Sequence, residues 1–414
     1  MLKKSWLVTV SLAVLVGAIA ANAKTVLAFC GFFVAKVDAE MFNNRSEVAI
    51  AHHNNRTTYS LAFDYKGEPK DFALVLPVPV VLKKENVRTI EANLFERLED
   101  FTAPRLVRYQ SVSLRGSVNQ IPETAQAPVP SSAPVQVLER FTVGEYDVVI
   151  LSASESNALE TWLRQNEYKI PRGAAGYFRP YIERELYFFV VRVNLEEREK
   201  LGFQDLRPIQ FAVSDSAVER RCAAGGLPQG ECSEIMLPFQ LGKINSEGEQ
   251  SVIVYFLSDR GRTEAKNYTN VMIPSNFNVP AEIESQFGQF YKGLLQATIK
   301  ATGRETVVTE YAWDTASCDP CSTTPLNPQE LKELGMNRNT AFITRMYMQY
   351  TKETYNKDLI FRLTEDKRTY QGRYILTPKE ALYSKDISGA EVRAPYGKLL
   401  SNFSLTALFE ENQQ

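Results

Sequence analysis

The sequence predicts a strand-rich α+β protein, built from mostly antiparallel sheets with a few inserted amphipathic helices. Three observations carry that expectation. Many short segments alternate apolar and polar residues with a period of two, helical stripes occur only between runs of such segments, and aromatic residues make up 11% of the chain.

Taken in order, Met1-Leu2-Lys3-Lys4 is a short cationic start, 6–20 is an almost uninterrupted apolar run, and Ala21-Asn22-Ala23 supplies small residues. Residues 1–28 therefore read as a secretory signal peptide, cleaved after Ala28, or alternatively after Ala23. An uncleaved anchor is the competing reading, because the apolar stretch approaches spanning length. Glu410-Glu411-Asn412-Gln413-Gln414 ends the chain without an apolar tail, so no transmembrane anchor is expected once the signal is removed. The length left after cleavage exceeds what one compact core serves. Three lobes are expected: a strand-rich one over 29–115, a central α+β one over 136–300 and a last one over 301–414. Between the first two, 116–135 sets Pro122, Pro128, Pro130 and Pro134 among Ala, Ser and Gln, the composition of an exposed flexible loop.

Tyr59, Leu61, Phe63 and Tyr65 alternate with polar or small residues, predicting a strand whose partner is Glu47 to Ala51 across His52-His53-Asn54-Asn55-Arg56. Phe72 to Val81 is continuously apolar, as in a strand covered on both faces, with Pro77 and Pro79 suggesting an edge or bulge. Ile90, Leu94, Leu98 and Phe101 form a helical stripe that Pro104 stops. A strand is predicted over Tyr146 to Leu151, then a capping box from Ser152 to Glu155 starting a helix that turns Leu159, Trp162 and Leu163 inward. Tyr187 to Val193, Ile209 to Val213, Ile235 to Leu241 and Ser251 to Leu257 look like an antiparallel meander. A helix over Ala281 to Ile299 carries Ile283, Phe287, Phe290, Tyr291 and Leu294 on one face. Val307, Thr309, Tyr311 and Trp313 alternate as a strand leading into Cys318. Asn327 as cap, Pro328, Glu330 and Gly335 outline a short helix, and Phe342 to Tyr350, Leu359 to Leu363 and Arg373 to Leu376 read as closing strands.

The net charge of −2 gives no long-range field to gather polyanions, so nucleic acid is a poor partner. Export makes the five cysteines disulfide candidates before metal ligands. Cys222 and Cys232 bracket a loop with Gly225, Gly226, Pro228 and Gly230 that can close a ring, Cys318 and Cys321 form the other pair, and Cys30 is left over. Cys318-Asp319-Pro320-Cys321 has the form of a thiol oxidoreductase site, which needs a helix N-terminus directly after a strand to acidify the first thiol. Here Ser322-Thr323-Thr324-Pro325 intervenes, and Asp314 and Asp319 bring negative charge that disfavours a thiolate. A structural disulfide is therefore the favoured reading. No second paired Cys/His spacing supports zinc, and no metal or cofactor is expected. His52 and His53, the only histidines, point to opposite faces if the strand runs through them and are read as a surface turn. Imidazole-based triads are correspondingly disfavoured.

Several segments together resemble one bacterial family, domain of unknown function 2330. They are Phe29-Cys30-Gly31-Phe32-Phe33-Val34, the strand with paired prolines over 72–81, 101–107, 143–147, Thr161-Trp162-Leu163-Arg164, 206–211, and Tyr311-Ala312-Trp313-Asp314 with the following Cys-Asp-Pro-Cys. The resemblance spans nearly the whole mature chain and implies an exported protein forming one contiguous module; it implies no activity or cofactor. Relatives carry a further cysteine after the segment matching Pro104 to Tyr109. Gln110 to Val118 has none, which implies that Cys30 lacks its usual partner. The loop from Cys222 to Cys232 looks like an addition in this chain.

The reading that follows is an exported cell-envelope protein acting as a non-catalytic binding or structural module braced by disulfides, with an unidentified envelope partner or ligand. The alternative is an extracytoplasmic thiol-disulfide protein using Cys318 and Cys321. A concave pocket beside Trp313 to Cys321 would favour an enzyme.

Overall fold

The computed structural model describes residues 32–33, 45–62, 73–108, 135–166, 168, 173–202, 206–245, 248–303 and 305–377. The predicted signal over 1–28, Cys30, the loop over 116–134 and the C-terminal tail from 378 lie outside the described residues.

The two-residue strand β1 (Phe32–Phe33) is followed by β2 (Arg45–His53) and β3 (Arg56–Ala62), the predicted hairpin. Its tip is Asn54-Asn55, both left-handed at φ 51 and 55, a conformation asparagine tolerates because its short amide bonds locally. Every residue of β4 (Ala73–Val78) is buried, as its unbroken apolar run requires. Next come β5 (Val87–Thr89), α1 (Asn93–Thr102), β6 (Arg105–Val107), β7 (Val135–Val143) and β8 (Tyr146–Ala153). Then follow α2 (Ser156–Gln165), α3 (Ala174–Glu183), β9 (Tyr187–Val193), α4 (Leu195–Leu201) and β10 (Ile209–Ser214). α5 (Asp215–Ala224), α6 (Gln229–Cys232), β11 (Met236–Leu237), β12 (Gln250–Ser258), β13 (Thr263–Ala265), β14 (Thr269–Met272) and β15 (Phe277–Pro280) lead to α7 (Phe287–Thr302). The described chain closes with β16 (Thr306–Asp314), α8 (Pro328–Glu333), β17 (Phe342–Tyr350), β18 (Leu359–Leu363), β19 (Tyr370–Gln371) and β20 (Arg373–Thr377).

Two sheets dominate. A nine-stranded sheet runs β14-β16-β17-β12-β2-β3-β10-β5, with β19 paired to β16; a five-stranded sheet runs β1-β4-β9-β8-β7. Most pairs are antiparallel, while β2–β12, β14–β16, β15–β20 and β20–β6 are parallel. The period of two shows why the central strands read as continuous apolar runs. In β12, Val252, Val254 and Phe256 face one core together with Val48 and Ile50 of β2, Leu74 and Leu76 of β4, and Phe189 of β9. The intervening Ile253, Tyr255 and Leu257 face a second core with Leu94, Leu98 and Phe101 of α1 and Leu331 of α8. The outer face of the five-stranded sheet is covered by Leu159 and Leu163 of α2 and Phe178 and Tyr181 of α3. The layers thus run helix, sheet, sheet, helix, so central strands such as β4, β9 and β12 are buried on both faces, whereas the edge strand β7 has no fully buried residue. A further core joins Phe290 and Leu294 of α7 to Tyr374 and Leu376 of β20. The nine-stranded sheet takes strands from each of the three predicted lobes.

Several expectations need correction. Tyr187–Val193 and Ile209–Ser214 are strands, but β9 belongs to the five-stranded sheet and β10 to the nine-stranded one, and β12 pairs with β2 and β17, so these strands form no meander. Only Met236–Leu237 of the segment Ile235 to Leu241 is a strand, followed by a 3-10 turn over Gln240–Asn245. The capping box at Ser152 to Glu155 does not form: β8 continues through Ala153 and Glu155 is the cap, without a side-chain bond. Trp162 packs against the core of Leu159 and Leu163, as expected, but stays half-buried. The helix over 281–299 begins as a 3-10 turn, Ala281–Gln286, before α7.

Candidate functional site

The Cys318–Cys321 loop hangs from the end of β16. Thr306–Asp314 is a buried strand because both neighbours in the sheet cover it and α7 covers part of its face. The loop it feeds is closed at its neck by backbone bonds from Thr315 N to Ala341 O (2.8 Å) and from Leu326 N to Thr315 O (3.1 Å). Cys318 and Cys321 are joined in a disulfide with a Cα–Cα separation of 4.9 Å, and the Asp319–Pro320 peptide is cis.

The loop is held chiefly by cationic and amide side chains that reach its backbone carbonyls. Arg373 Nη1 donates to the Asp319 carbonyl at 2.6 Å. With its amide turned to match its neighbours, Gln371 donates to the same oxygen at 2.9 Å and accepts from Arg105 Nε at 2.9 Å. Arg97 of α1 spans Thr323 Oγ1 (2.9 Å), the Thr324 carbonyl (3.0 Å) and the Glu330 carboxylate (2.7 Å). The Ser322 hydroxyl donates to the Asp100 carbonyl. Charge-assisted bonds of this kind each contribute more than neutral ones, so the loop is anchored to α1, β6, β19 and β20 at once.

The motif residues around it serve the same packing. The Trp313 ring stacks on Tyr311 at 6.3 Å and its Nε1 donates to Ser317 Oγ at 3.2 Å. The Tyr311 hydroxyl is buried and finds no partner among the described residues; loss of solvent pushes its phenol above the usual range, an effect the nearby Arg105 opposes. Asp314 Oδ1 accepts the Ala316 N–H at 2.8 Å, fixing the first turn of the loop. No helix starts at the cysteines: the next one is α8, capped by Asn327, which accepts the Gln329 and Glu330 N–H groups while Glu330 accepts the Asn327 N–H. The helix-terminal field that acidifies a redox thiol is absent at Cys318.

Cys222 and Cys232 are also disulfide-bonded, at a Cα–Cα distance of 5.9 Å. His52 and His53 correct the surface-turn reading. Both lie within β2 and point apart: His52 Nδ1 meets Thr57 Oγ1 at 3.0 Å, whereas His53 is 7% exposed with its Nδ1 2.8 Å from Asp259 Oδ2. Burial lowers the His52 pKa despite the opposing pull of Asp215. Among the described residues no cluster of three His, Cys, Asp or Glu side chains is placed to hold a metal ion.

One constellation escaped sequence reasoning. Arg345, 3% exposed in β17, donates to Glu310 Oε2 of β16 (2.6 Å) and Glu99 Oε2 of α1 (2.6 Å), and its guanidinium lies 5.5 Å from the centre of the Tyr255 ring. The Tyr255 hydroxyl donates to Glu99 Oε2 at 2.7 Å, and that of Tyr291 donates to Glu310. Two acids converge here, but both pair with one arginine, so the arrangement is an ion-pair hub rather than an acid–base dyad. Separately, a cavity of about 30 Å³, room for a water or two, lies between the two large sheets, with Tyr59, Leu61, Pro77, Arg184, Glu234 and Cys232 in its wall.

Four layers, disulfide-closed loops and a buried ion-pair hub define a disulfide-braced α+β protein. Residues 24–221 and 229–362 match the family described as "Uncharacterized protein conserved in bacteria (DUF2330)", and the chain belongs to that family. The break in the match, at 222–228, falls inside the ring closed by Cys222 and Cys232. Comparison with curated proteins and with solved structures finds no match. No helix of the described residues is long and apolar enough to cross a membrane.

Proposed function

We propose that the protein is exported and serves the bacterial cell envelope as a non-catalytic binding or structural module, its loops braced by disulfides. The observation that carries this reading is the way Arg97, Arg105, Gln371 and Arg373 engage the backbone of the 315–326 loop, leaving the Cys318–Cys321 bridge as one more clamp on an already anchored segment. Export is supported by the signal pattern of residues 1–28, by a family match that begins at residue 24, and by two disulfides of the kind that persist outside the reducing cytosol. The exposure of Cys321 favours a second reading, in which this pair exchanges with envelope thiols.

Replacing both Cys318 and Cys321 by serine separates the two. The structural reading expects a native bridge that resists mild reductant and a loss of about 2 kcal/mol in urea unfolding, the entropy of so short a closed ring. Rapid exchange in the folded state with unchanged stability would overturn it. Cell fractionation with N-terminal sequencing checks export: material beginning at Phe29 or Lys24 in the envelope fraction is expected, and intact protein beginning at Met1 in the cytosol defeats it.

A further inference from the structure

The two disulfides differ in what surrounds their sulfurs. At Cys318–Cys321 the cations reach carbonyl oxygens. At Cys222–Cys232 one reaches sulfur: Arg221 Nη2 donates to Cys232 Sγ at 2.9 Å. That guanidinium is held in place, its Nη1 donating to the carbonyls of Arg184 (2.8 Å) and Glu185 (3.0 Å) at the end of α3. Cys222, in the last turn of α5, is 0% exposed, whereas Cys232 is half-buried and forms part of the wall of the inter-sheet cavity. A cation fixed on an accessible sulfur stabilises its thiolate, while a sulfur fully buried in an apolar core is held in the thiol form. This asymmetry separates an attacking thiol from a resolving one.

We propose that Cys232 and Cys222 form an exchangeable redox pair, Cys232 attacking and Cys222 resolving, whose substrate is a low-molecular-weight disulfide with amino-acid ends. Arg184 and Glu234 line the same cavity as Cys232 and, like it, stay partly exposed; the cavity itself holds no more than a water or two, so the small disulfide would lie across its rim, Arg184 towards a carboxylate and Glu234 towards an ammonium group. Arg184 makes a contact with Met236 Sδ at 3.0 Å, and Glu234 pairs with Lys266, itself exposed. In the reaction the Cys232 thiolate attacks one sulfur of the small disulfide, forming a mixed disulfide and expelling the first small thiolate. Cys222 then loses its proton to that thiolate and attacks Cys232 Sγ, expelling the second. Two electrons pass from the protein to the small disulfide, the protein pair ends oxidised as seen here, and the reverse sequence reduces it.

The test uses the full-length protein carrying Cys222→Ser, which strands Cys232 as a free thiol, with oxidised glutathione as probe and the mixed disulfide located by peptide mass mapping. The proposal expects modification at Cys232 with an apparent thiol pKa about one unit below the ordinary 8.5. Adding Arg221→Gln returns the pKa to near 8.5 and slows the reaction at pH 7 about threefold, because the loss of thiolate outweighs its gain in nucleophilicity. Arg221→Lys, which keeps the charge, retains most of the rate and serves if the glutamine variant melts early. Oxidised glutathione reacts faster than the uncharged hydroxyethyl disulfide, and this preference is lost in Arg184→Gln. A pH profile indifferent to residue 221, or no modification of Cys232 in the folded protein, overturns the redox pair. Equal rates for the two disulfides overturn the assignment of substrate. None of these outcomes depends on the Cys318–Cys321 bridge, so they are read apart from the test of that bridge; a reactive Cys222–Cys232 pair would add an exchange activity to the reading above, in which this disulfide is only a brace.

Discussion

Asp358 carries an acid titration set by its surroundings. Its Oδ1 accepts both the Tyr181 hydroxyl (2.9 Å) and the Gln240 N–H (3.1 Å), while loss of solvent pushes its pKa up to about 6, offset in part by those two bonds. The neutral acid keeps both bonds on Oδ1, so its stabilisation is fully present below pH 3.8, the ordinary value, and is lost as pH rises through about 6. The loss amounts to at most about 3 kcal/mol, since a tenfold change in proton affinity is worth about 1.4 kcal/mol. Asp358→Asn preserves the acceptor and removes the titration. Urea unfolding from pH 4 to 7 should therefore show a decline in the wild-type protein that is smaller in the variant, and the variant should be the more stable at pH 7. Residue-scale chemistry of this kind was legible only where partners are near in sequence. Cys318 and Cys321 announce each other, whereas Glu99 and Arg345 lie 246 positions apart and nothing in either neighbourhood signals the other.

Elements became readable in proportion to how one-sided or how strongly bounded they are. α8 was legible to its cap because Asn327, Pro328 and Glu330 each have one structural job, and the reciprocal bonds are present. Asn327→Ala should cost about 1 kcal/mol in chemical unfolding and loosen the 315–326 loop, which hydrogen exchange at Ala316 and Leu326 would register. α3, α4 and α5 were missed for physical reasons. α3 contains Pro180, which reads as a break. α4 has no buried residue and α5 buries only Val218 and Cys222, too little for a helical stripe. The predicted capping box at Ser152 failed because strand pairing to β7 extends through Ala153, so tertiary hydrogen bonds overrode a local signal.

At the scale of the whole molecule, the class was legible and the sheet order was not. Alternating and continuous apolar runs identify strands but do not choose neighbours, and the parallel β2–β12 pair joins residues 45–52 to 251–258. Arg345 fastens this assembly, linking β17, β16 and α1 and standing over Tyr255 of β12. Arg345→Leu should destabilise the fold by about 3–5 kcal/mol because Glu310, 1% exposed, loses its buried ion-pair partner. Restoring neutrality with Glu310→Gln in the same chain should recover part of that loss, and thermal melts of the single and double variants measure the coupling.

The union of β2 with β12 also dictates when this polypeptide can become a protein. The central ladder stays incomplete until the ribosome has added the residues of β12, and β17, which flanks β12 on its other side, arrives later still. Nascent chains stalled before position 250 should leave β2, β3 and β10 protease-sensitive, because the nine-stranded sheet then lacks its centre, although every strand of the five-stranded sheet has already been made.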